Sequence, residues 1–230
     1  ALILSVSVQI RSRIQVGEGI AARSIPFERI LESPKGKVLF AGDSTAYGTG
    51  AQSNTSSTAG RFASAYPEYN VENIAINGLR LEGFVETMNK HEGRYDLVVM
   101  QIGANDVIHF ASVEDLHKNA HEAVEAAKEK SDNVIWIAVG NVGATRFFPW
   151  PLSILYDYWS RISIDTLKYI AEEEGVHYID LYKERGDVSF YDKGEDLYAR
   201  DGLHLSDYGY GLWFDEIERV IEEERLINHK

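Results

Sequence analysis

A serine, a histidine and an aspartate have the residue types of a nucleophilic catalytic site. Ser44 follows an apolar run that ends in Gly42, so its hydroxyl can lie exposed at a sharp turn. A serine hydroxyl attacks poorly until a base removes its proton, and a neutral imidazole such as that of His204 does so near pH 7. Asp201 precedes His204 by three residues, which allows its carboxylate to orient the imidazole. The set predicts acyl transfer through Ser44.

Attack on an ester carbonyl creates an oxyanion, which needs hydrogen-bond donors already in place. The sequence offers three candidates: the backbone N–H of Ser44, the backbone N–H of Gly78, where glycine permits close approach, and the side-chain amide of Asn105. Asp43 and Asp106 adjoin two of these positions, and we expect both to hold their loops by hydrogen bonds to backbone. Taken singly, such residues more often cap helices or close turns, so only their joint placement favours catalysis.

Five apolar runs predict the strands that position these side chains: residues 37–42, 69–75, 95–102, 133–139 and 176–181. The segments 112–130, 154–174 and 206–226 have helical spacing of apolar residues, with Ser112 and Ser206 as candidate N-caps. This alternation predicts an α/β protein, a three-layer α/β/α sandwich with a mostly parallel sheet of about five strands. Reactive residues in such sheets lie at the carboxyl ends of the strands, where the candidates stand.

The chain has 230 residues, of which 44% are hydrophobic and 26% charged, as in an ordinary globular protein. Its net charge of −13 would repel a phosphate backbone, so we expect no nucleic-acid partner. The lack of cysteine excludes disulfides, thiolate metal sites and cysteine nucleophiles. The sequence contains no run of about 20 apolar residues and therefore predicts no membrane span.

Residues 1–36 show no clear period and are expected to form an N-terminal extension before a catalytic domain over residues 37–230. The apolar segment 1–10 has two interpretations that the sequence leaves open. It is the remnant of a leader or anchor, in which case the full-length protein is exported or membrane-tethered, or it is a strand or helix that packs on the domain.

Four short blocks carry a resemblance to a known family. They are Gly42-Asp43-Ser44-Thr45, the looser block Asn73–Gly78, Gly103-Ala104-Asn105-Asp106 and Asp201-Gly202-Leu203-His204. Together they resemble the SGNH hydrolases, also called GDSL-type esterases and lipases, and in particular bacterial members, over roughly residues 37–226. Thr45 stands where leucine is frequent in that family. The chain lacks the Gly-x-Ser-x-Gly pattern of the α/β-hydrolases.

The resemblance implies a flavodoxin-like α/β/α fold and the hydrolysis of acyl esters through an acyl-enzyme. Ser44 would be the nucleophile, His204 the base and then the acid, and Asp201 the group that orients His204. The backbone N–H groups of Ser44 and Gly78 and the amide of Asn105 would form the oxyanion hole. The resemblance implies no metal and no organic cofactor.

The sequence favours a serine esterase for short to medium acyl chains, because it shows no large apolar insertion that could cover a long chain. The substrate would be a small-molecule, lipid or carbohydrate acyl ester. The alternatives on the same fold are an acyltransferase, a thioesterase, a lysophospholipase and a carbohydrate deacetylase. A non-catalytic binding module predicts at least one broken catalytic position, and here all are filled.

Candidate substrate contacts follow two of the predicted strands. Phe147, Phe148 and Trp150 come after the fourth strand and would either wall an acyl pocket or fill the core. His109 follows the loop that contains Asn105 and would either line the substrate entrance or pack against its neighbours. Both interpretations place these residues near the reactive edge of the sheet.

Overall fold

A computed structural model of the chain describes residues 2–138, 140–187 and 196–227, with side chains described from residue 6 onward. Within these ranges one parallel sheet runs through the protein. Its strands are β1 (Gly36–Gly42), β2 (Tyr69–Asn73), β3 (Leu97–Gln101), β4 (Val134–Ile137) and β5 (His177–Ile179), in the spatial order β2-β1-β3-β4-β5. All five predicted strands are confirmed, and the predicted end of the fourth, Val139, lies outside the described residues.

Eight α-helices accompany these strands in the described ranges. They are α1 (Leu2–Ala21), α2 (Ser44–Tyr47), α3 (Thr58–Ala65), α4 (Leu81–Asn89), α5 (Ala104–Ile108), α6 (Val113–Lys128), α7 (Leu152–Glu174) and α8 (Asp207–Glu224). Buried residues of α4, α6 and α7 pack on one face of the sheet, and those of α3 and α8 pack on the other. The predicted three-layer α/β/α sandwich is confirmed.

Burial explains why the sequence predicts the strands, and capping residues explain where two of the helices begin. All residues of β3 and β4 are buried, and a strand covered on both faces reads as a continuous apolar run. The predicted caps are also present: the Ser112 hydroxyl accepts from the N–H of Asp115 at 3.0 Å, and the Ser206 hydroxyl accepts from the N–H of Gly209 at 3.2 Å. Each cap satisfies a donor that the first turn of a helix leaves free.

The strand order creates a crevice at the centre of the sheet. From β1 the chain moves outward to β2 and then returns to β3 on the other side of β1. Gly42 at the end of β1 lies opposite Gln101 at the end of β3. The segments that follow diverge at such a reversal and leave a crevice outside the carboxyl ends of the strands. Residues that follow β1 and β3 are therefore brought to one place.

The N-terminal segment contains helix α1, for which the sequence showed no clear period. Ile10, Ile14 and Ala21 lie along one side of the helix, but Val8, Val16 and other apolar residues lie on different sides, so the helical period is weak. None of the described helices, α1 included, is long and apolar enough to cross a bilayer.

After α1 the chain is tied to the β2 edge of the sheet by Arg29. The backbone of Arg29 pairs with Val71 in an antiparallel bridge, with both N–H···O distances at 2.8 Å. Its guanidinium donates to the carbonyl oxygens of Ala63 at 2.6 Å, Tyr66 at 2.8 Å and Tyr69 at 2.9 Å. One side chain thus satisfies three carbonyl groups and fixes the segment that leads out of α1.

We expect Arg29→Lys to lower the free energy of unfolding by about 1–3 kcal/mol, because one ammonium group cannot bridge carbonyls that a guanidinium reaches as a fork. Urea denaturation would measure the loss. Arg23→Lys is the matched control, since Arg23 is exposed just beyond the end of α1. Equal stability of the two variants would contradict the role assigned to Arg29.

Candidate active site

The first strand leads to Ser44 through a turn that requires glycine. Gly42 ends β1 with a φ of 145°, and a Cβ there would lie 1.9 Å from the carbonyl oxygen of Gln101. Asp43 then caps α2, where its carboxylate accepts from the N–H of Thr45 at 2.9 Å. Ser44 is the first residue of that helix. It therefore stands at the carboxyl edge of the sheet, as the preceding apolar run predicted.

His204 and Asp201 form a hydrogen-bonded pair on the loop before α8. Nδ1 of His204 lies 2.5 Å from Oδ2 of Asp201. The other carboxylate oxygen accepts from the N–H of Leu203 at 3.1 Å and from the N–H of His204 at 3.2 Å. Both oxygens of Asp201 are thus held. Because Nδ1 donates to the carboxylate, Nε2 is the nitrogen left to accept a proton.

The surroundings of Asp201 keep its carboxylate ionised. Its side chain is completely buried, and burial by itself raises its pKa. The hydrogen bond and charge of His204, together with the backbone N–H groups of Leu203 and His204, outweigh burial, so the pKa of Asp201 lies below its ordinary value. An ionised carboxylate stabilises the imidazolium that forms when His204 takes a proton.

Ser44 and His204 both line a pocket of about 350 Å³. The same pocket is lined by Asp201, Gly78 and Asn105, so the structure brings together all of the predicted catalytic and oxyanion residues. In the part of the chain that the structure describes, no direct hydrogen bond joins the hydroxyl of Ser44 to His204. Such bonds are often long in a free enzyme and tighten when substrate binds.

The three candidate oxyanion donors are held in different ways. Ser44, as the first residue of α2, has a backbone N–H without an acceptor inside the helix. Gly78 has a φ of 79° and open space where a Cβ would be, so its backbone is accessible from the pocket. Nδ2 of Asn105 donates to the carbonyl oxygen of Leu79 at 3.1 Å and lies 3.5 Å from Oδ2 of Asp43. These contacts fix the orientation of the amide.

A hydrogen bond that the sequence did not indicate holds the turn before Gly78. The hydroxyl of Thr49 donates to Oδ1 of Asn77 at 2.6 Å. Thr49 is itself fully buried, and its carbonyl oxygen accepts from the hydroxyl of Tyr210 at 2.8 Å. Thr49 and Asn77 are 28 residues apart, so no local pattern could have shown this contact.

Two further carboxylates are buried next to the site. Asp43 accepts from the N–H and the hydroxyl of Thr45, and Asp106 accepts from the N–H of Leu81 at 3.1 Å. These contacts confirm the structural role predicted for both. Burial is the main cause that raises the pKa of each to about 6, and for Asp106 the charge of Arg80 acts in the opposite direction. Within the described ranges, no group of three or more His, Asp or Glu side chains could hold a metal ion.

The four residues proposed as substrate contacts have different surroundings. Phe147 lines the pocket. Phe148 is buried and stacks on Tyr156, with ring centroids 3.8 Å apart, so it packs in the core. Trp150 is 62% exposed, and His109 is exposed at the end of α5. Neither Trp150 nor His109 is among the described residues that line this pocket.

Four pocket residues that the sequence analysis missed come from α1. They are Ile14, Gly17, Glu18 and Ala21. Their spacing of i, i+3, i+4 and i+7 places them on one face of the helix. The spacing is visible in the sequence, but a face made of these four residue types does not read as an apolar stripe. A helical wall was therefore not predicted.

The arrangement agrees with a comparison against known protein families. A family model described as GDSL-like Lipase/Acylhydrolase matches residues 40–212, and the chain belongs to this family. The match includes the candidate nucleophile, oxyanion donors, aspartate and histidine, whereas α1 lies before it. No curated protein matches the chain.

Solved structures share the fold. A member of the lipolytic protein G-D-S-L family from Veillonella parvula DSM 2008 is similar with a TM-score of 0.65 and 17% identity, over 81% of this chain and 98% of that chain. The psychrotrophic esterase EstA from Pseudoalteromonas sp. is similar with a TM-score of 0.59 and 18% identity, over 81% of this chain and 97% of that chain. The acetylxylan esterase Axe2 from Geobacillus stearothermophilus is similar with a TM-score of 0.59 and 20% identity, over 84% of this chain and 96% of that chain. These similarities establish the α/β/α fold, and the family match establishes a GDSL-type hydrolase.

The buried carboxylate of Asp106 predicts a specific dependence of stability on pH. Its pKa rises from 3.8 to about 6 on folding, so the folded state binds the proton more tightly than the unfolded chain. The stability that this proton contributes is complete below pH 3.8 and is lost as the pH rises through about 6. The difference corresponds to at most about 3 kcal/mol.

We expect Asp106→Asn to be more stable than the wild type at pH 7.5, by about 1–3 kcal/mol, because it keeps an oxygen for the N–H of Leu81 and removes the buried charge. This difference in the free energy of unfolding should disappear as the pH falls towards 4. Urea denaturation at several pH values would measure it. Asp132→Asn is the control, since that carboxylate is 92% exposed. A variant less stable than the wild type at pH 7.5 would contradict this account.

Proposed function

We propose that this protein is a serine esterase that hydrolyses carboxylic acyl esters of short to medium chain length through an acyl-enzyme on Ser44. The observation that carries the proposal is the 2.5 Å hydrogen bond between His204 and Asp201, beside a pocket that Ser44 also lines. Membership of a family of lipases and acylhydrolases supports a hydrolytic reaction.

The first half of the reaction transfers the acyl group to the enzyme. Nε2 of His204 accepts the proton of the Ser44 hydroxyl while Oγ bonds to the carbonyl carbon, and the carbonyl electron pair moves to oxygen. The oxyanion accepts hydrogen bonds from the Ser44 N–H, the Gly78 N–H and the Asn105 amide. When the carbonyl re-forms, the bond to the alcohol oxygen breaks and His204 protonates that oxygen. The alcohol leaves and Ser44 carries the acyl group.

The second half uses water as the nucleophile. His204 removes a proton from water while the water oxygen bonds to the acyl carbon, and the same donors stabilise the second oxyanion. Collapse of this intermediate breaks the bond to Oγ of Ser44, which takes the proton from His204. The carboxylic acid is released and the enzyme is restored. Asp201 stabilises the imidazolium in both halves because its carboxylate stays ionised.

The pocket supports a short to medium acyl chain. Its volume of about 350 Å³ is near the lower end of the range of about 300–1,000 Å³ for small-molecule sites. Ile108, Phe147 and Leu203 line it and offer an apolar surface to an alkyl chain.

We expect Ser44→Ala to lower kcat by about 10³-fold or more on a p-nitrophenyl ester series from acetate to palmitate, because the nucleophile is lost. The wild type should prefer the shorter members. Ser64→Ala is the matched control, since Ser64 is exposed on α3, and it should keep wild-type rates. Wild-type activity in Ser44→Ala would overturn the proposed function.

Product analysis separates the esterase from the alternatives on the same fold. Formation of free acid alone, with and without a sugar acceptor, supports the esterase, whereas an ester formed on the sugar would identify an acyltransferase. Acyl thioesters, lysophospholipids and acetylated carbohydrates should be compared with simple esters by kcat/KM. The class with the highest value identifies the leaving group that the site accepts best.

A further inference from the structure

Helix α1 lies against the candidate catalytic residues, although it is far from them in sequence. Its face of Ile14, Gly17, Glu18 and Ala21 lines the same pocket as Ser44. Three of these four residues carry a side chain, and two of the three side chains, those of Ile14 and Ala21, are apolar. The helix is therefore part of the surface that a bound ester would meet.

Gly17 allows α1 to approach the catalytic carboxylate. Gly17 is buried, and a Cβ at this position would lie 3.1 Å from Oδ2 of Asp201. That oxygen is the one that accepts from Nδ1 of His204. A glycine permits such a close approach of a helix backbone because it has no side chain. The backbone of α1 thus covers the oxygen that orients the imidazole.

Contacts before and after this face hold α1 in place. Nη1 of Arg13 donates to the carbonyl oxygen of Phe147 at 2.7 Å, and Phe147 itself lines the pocket. Beyond the helix, Arg29 ties the chain to Val71 in β2. The helix is therefore attached on both sides of the pocket residues that it contributes.

The wall that α1 supplies comes from outside the segment shared with the family, because the family match begins at residue 40. The matched segment contains the groups proposed to carry out the chemistry. Pocket residues outside that segment can alter substrate contacts without altering the catalytic groups. This separation points to a role for α1 in substrate selection.

We propose that α1 forms one wall of the ester pocket and that Ile14 and Ala21 are specificity-determining residues that contact the acyl group. The inference rests on the proposed function of Ser44. The small side chain of Ala21 leaves pocket volume that a longer acyl chain occupies, and the side chain of Ile14 limits the width available to a bulky acyl group. Burial of each methylene against this apolar surface favours binding.

Ala21→Leu tests the proposed wall by placing a larger side chain in the pocket volume next to residue 21. We expect kcat/KM for p-nitrophenyl octanoate, relative to that for the acetate, to fall by about tenfold or more. Ala22→Leu is the matched control, because Ala22 is the next residue, is exposed and does not line the pocket. Its chain-length profile should equal that of the wild type.

Ile14→Ala tests the opposite change and preserves the helix, since alanine has the highest helix propensity. We expect kcat/KM for p-nitrophenyl benzoate, relative to the acetate, to rise by about threefold or more as the pocket widens. Val16→Ala is the matched control, because Val16 lies on the same helix with a similar exposed fraction, 39% against 42% for Ile14, but does not line the pocket.

Gly17→Ala tests whether α1 lies against Asp201. The added methyl group would press on a carboxylate that three hydrogen bonds hold, so we expect kcat to fall severalfold, up to about tenfold, on every ester. Gly19→Ala is the matched control, where a Cβ meets only Arg23, at 3.5 Å.

The outcomes separate this inference from the proposed function. If activity depends on Ser44 and the acyl-chain preferences of Ala21→Leu and Ala22→Leu are identical, the proposal that α1 forms a wall of the pocket is overturned. The proposed esterase function would still stand. Activity raised equally on all chain lengths by the α1 variants would also overturn it, since α1 would then be an obstruction. Full activity of Ser44→Ala would overturn the proposed function and this inference with it. Equal kcat in Gly17→Ala and Gly19→Ala would contradict the contact with Asp201.

Discussion

The parallel pairing of β1 with β3 is the constraint on which the site depends. Its register sets Gly42 opposite Gln101, so the chain leaves both strands at one edge of the sheet. A side chain at residue 42 would strike the carbonyl group of Gln101, and the turn that leads to Ser44 therefore requires glycine. The same junction brings Oδ2 of Asp43 to 3.5 Å from the amide of Asn105. The loop of the candidate nucleophile and the loop of a candidate oxyanion donor thus support each other.

Three buried carboxylates near this junction differ in pKa because their donors differ. Burial raises the pKa of Asp43 and of Asp106 to about 6, since the backbone N–H and hydroxyl groups that they accept from do not compensate for lost solvation. Asp201 is buried as well, but it also accepts from the imidazole of His204, and its pKa lies below the ordinary value. A donor that can carry positive charge stabilises a carboxylate more than a neutral donor does. The carboxylate proposed to support the imidazolium is the one whose surroundings favour the charged form over the neutral form.

Helix α1 illustrates how a shared fold can acquire an individual pocket. The family match covers residues 40–212, and the sheet within it positions the groups proposed for the chemistry. An element placed over the carboxyl ends of the strands adds surface to the pocket, and α1 does so through contacts with the loops that contain Phe147 and Asp201. The close approach of Gly17 to Asp201 links this added surface to the catalytic pair. Variation in such elements is one way in which members of one fold can differ in the substrates that they accept.

Local patterns in the sequence determined the five strands, the helix caps and the short blocks at the strand ends. They could do so because a strand buried on both faces must be apolar, and because caps and turns depend on a few adjacent residues. Only the tertiary structure decided the contacts between distant segments: the bond of Thr49 to Asn77, the presence of Phe147 rather than its aromatic neighbours in the pocket, and the packing of α1. A helix whose apolar residues lie on several sides, as those of α1 do, has no clear period that would identify the face it packs with. Its position follows from shape and from contacts such as those of Arg13 and Arg29, which no spacing along the chain encodes.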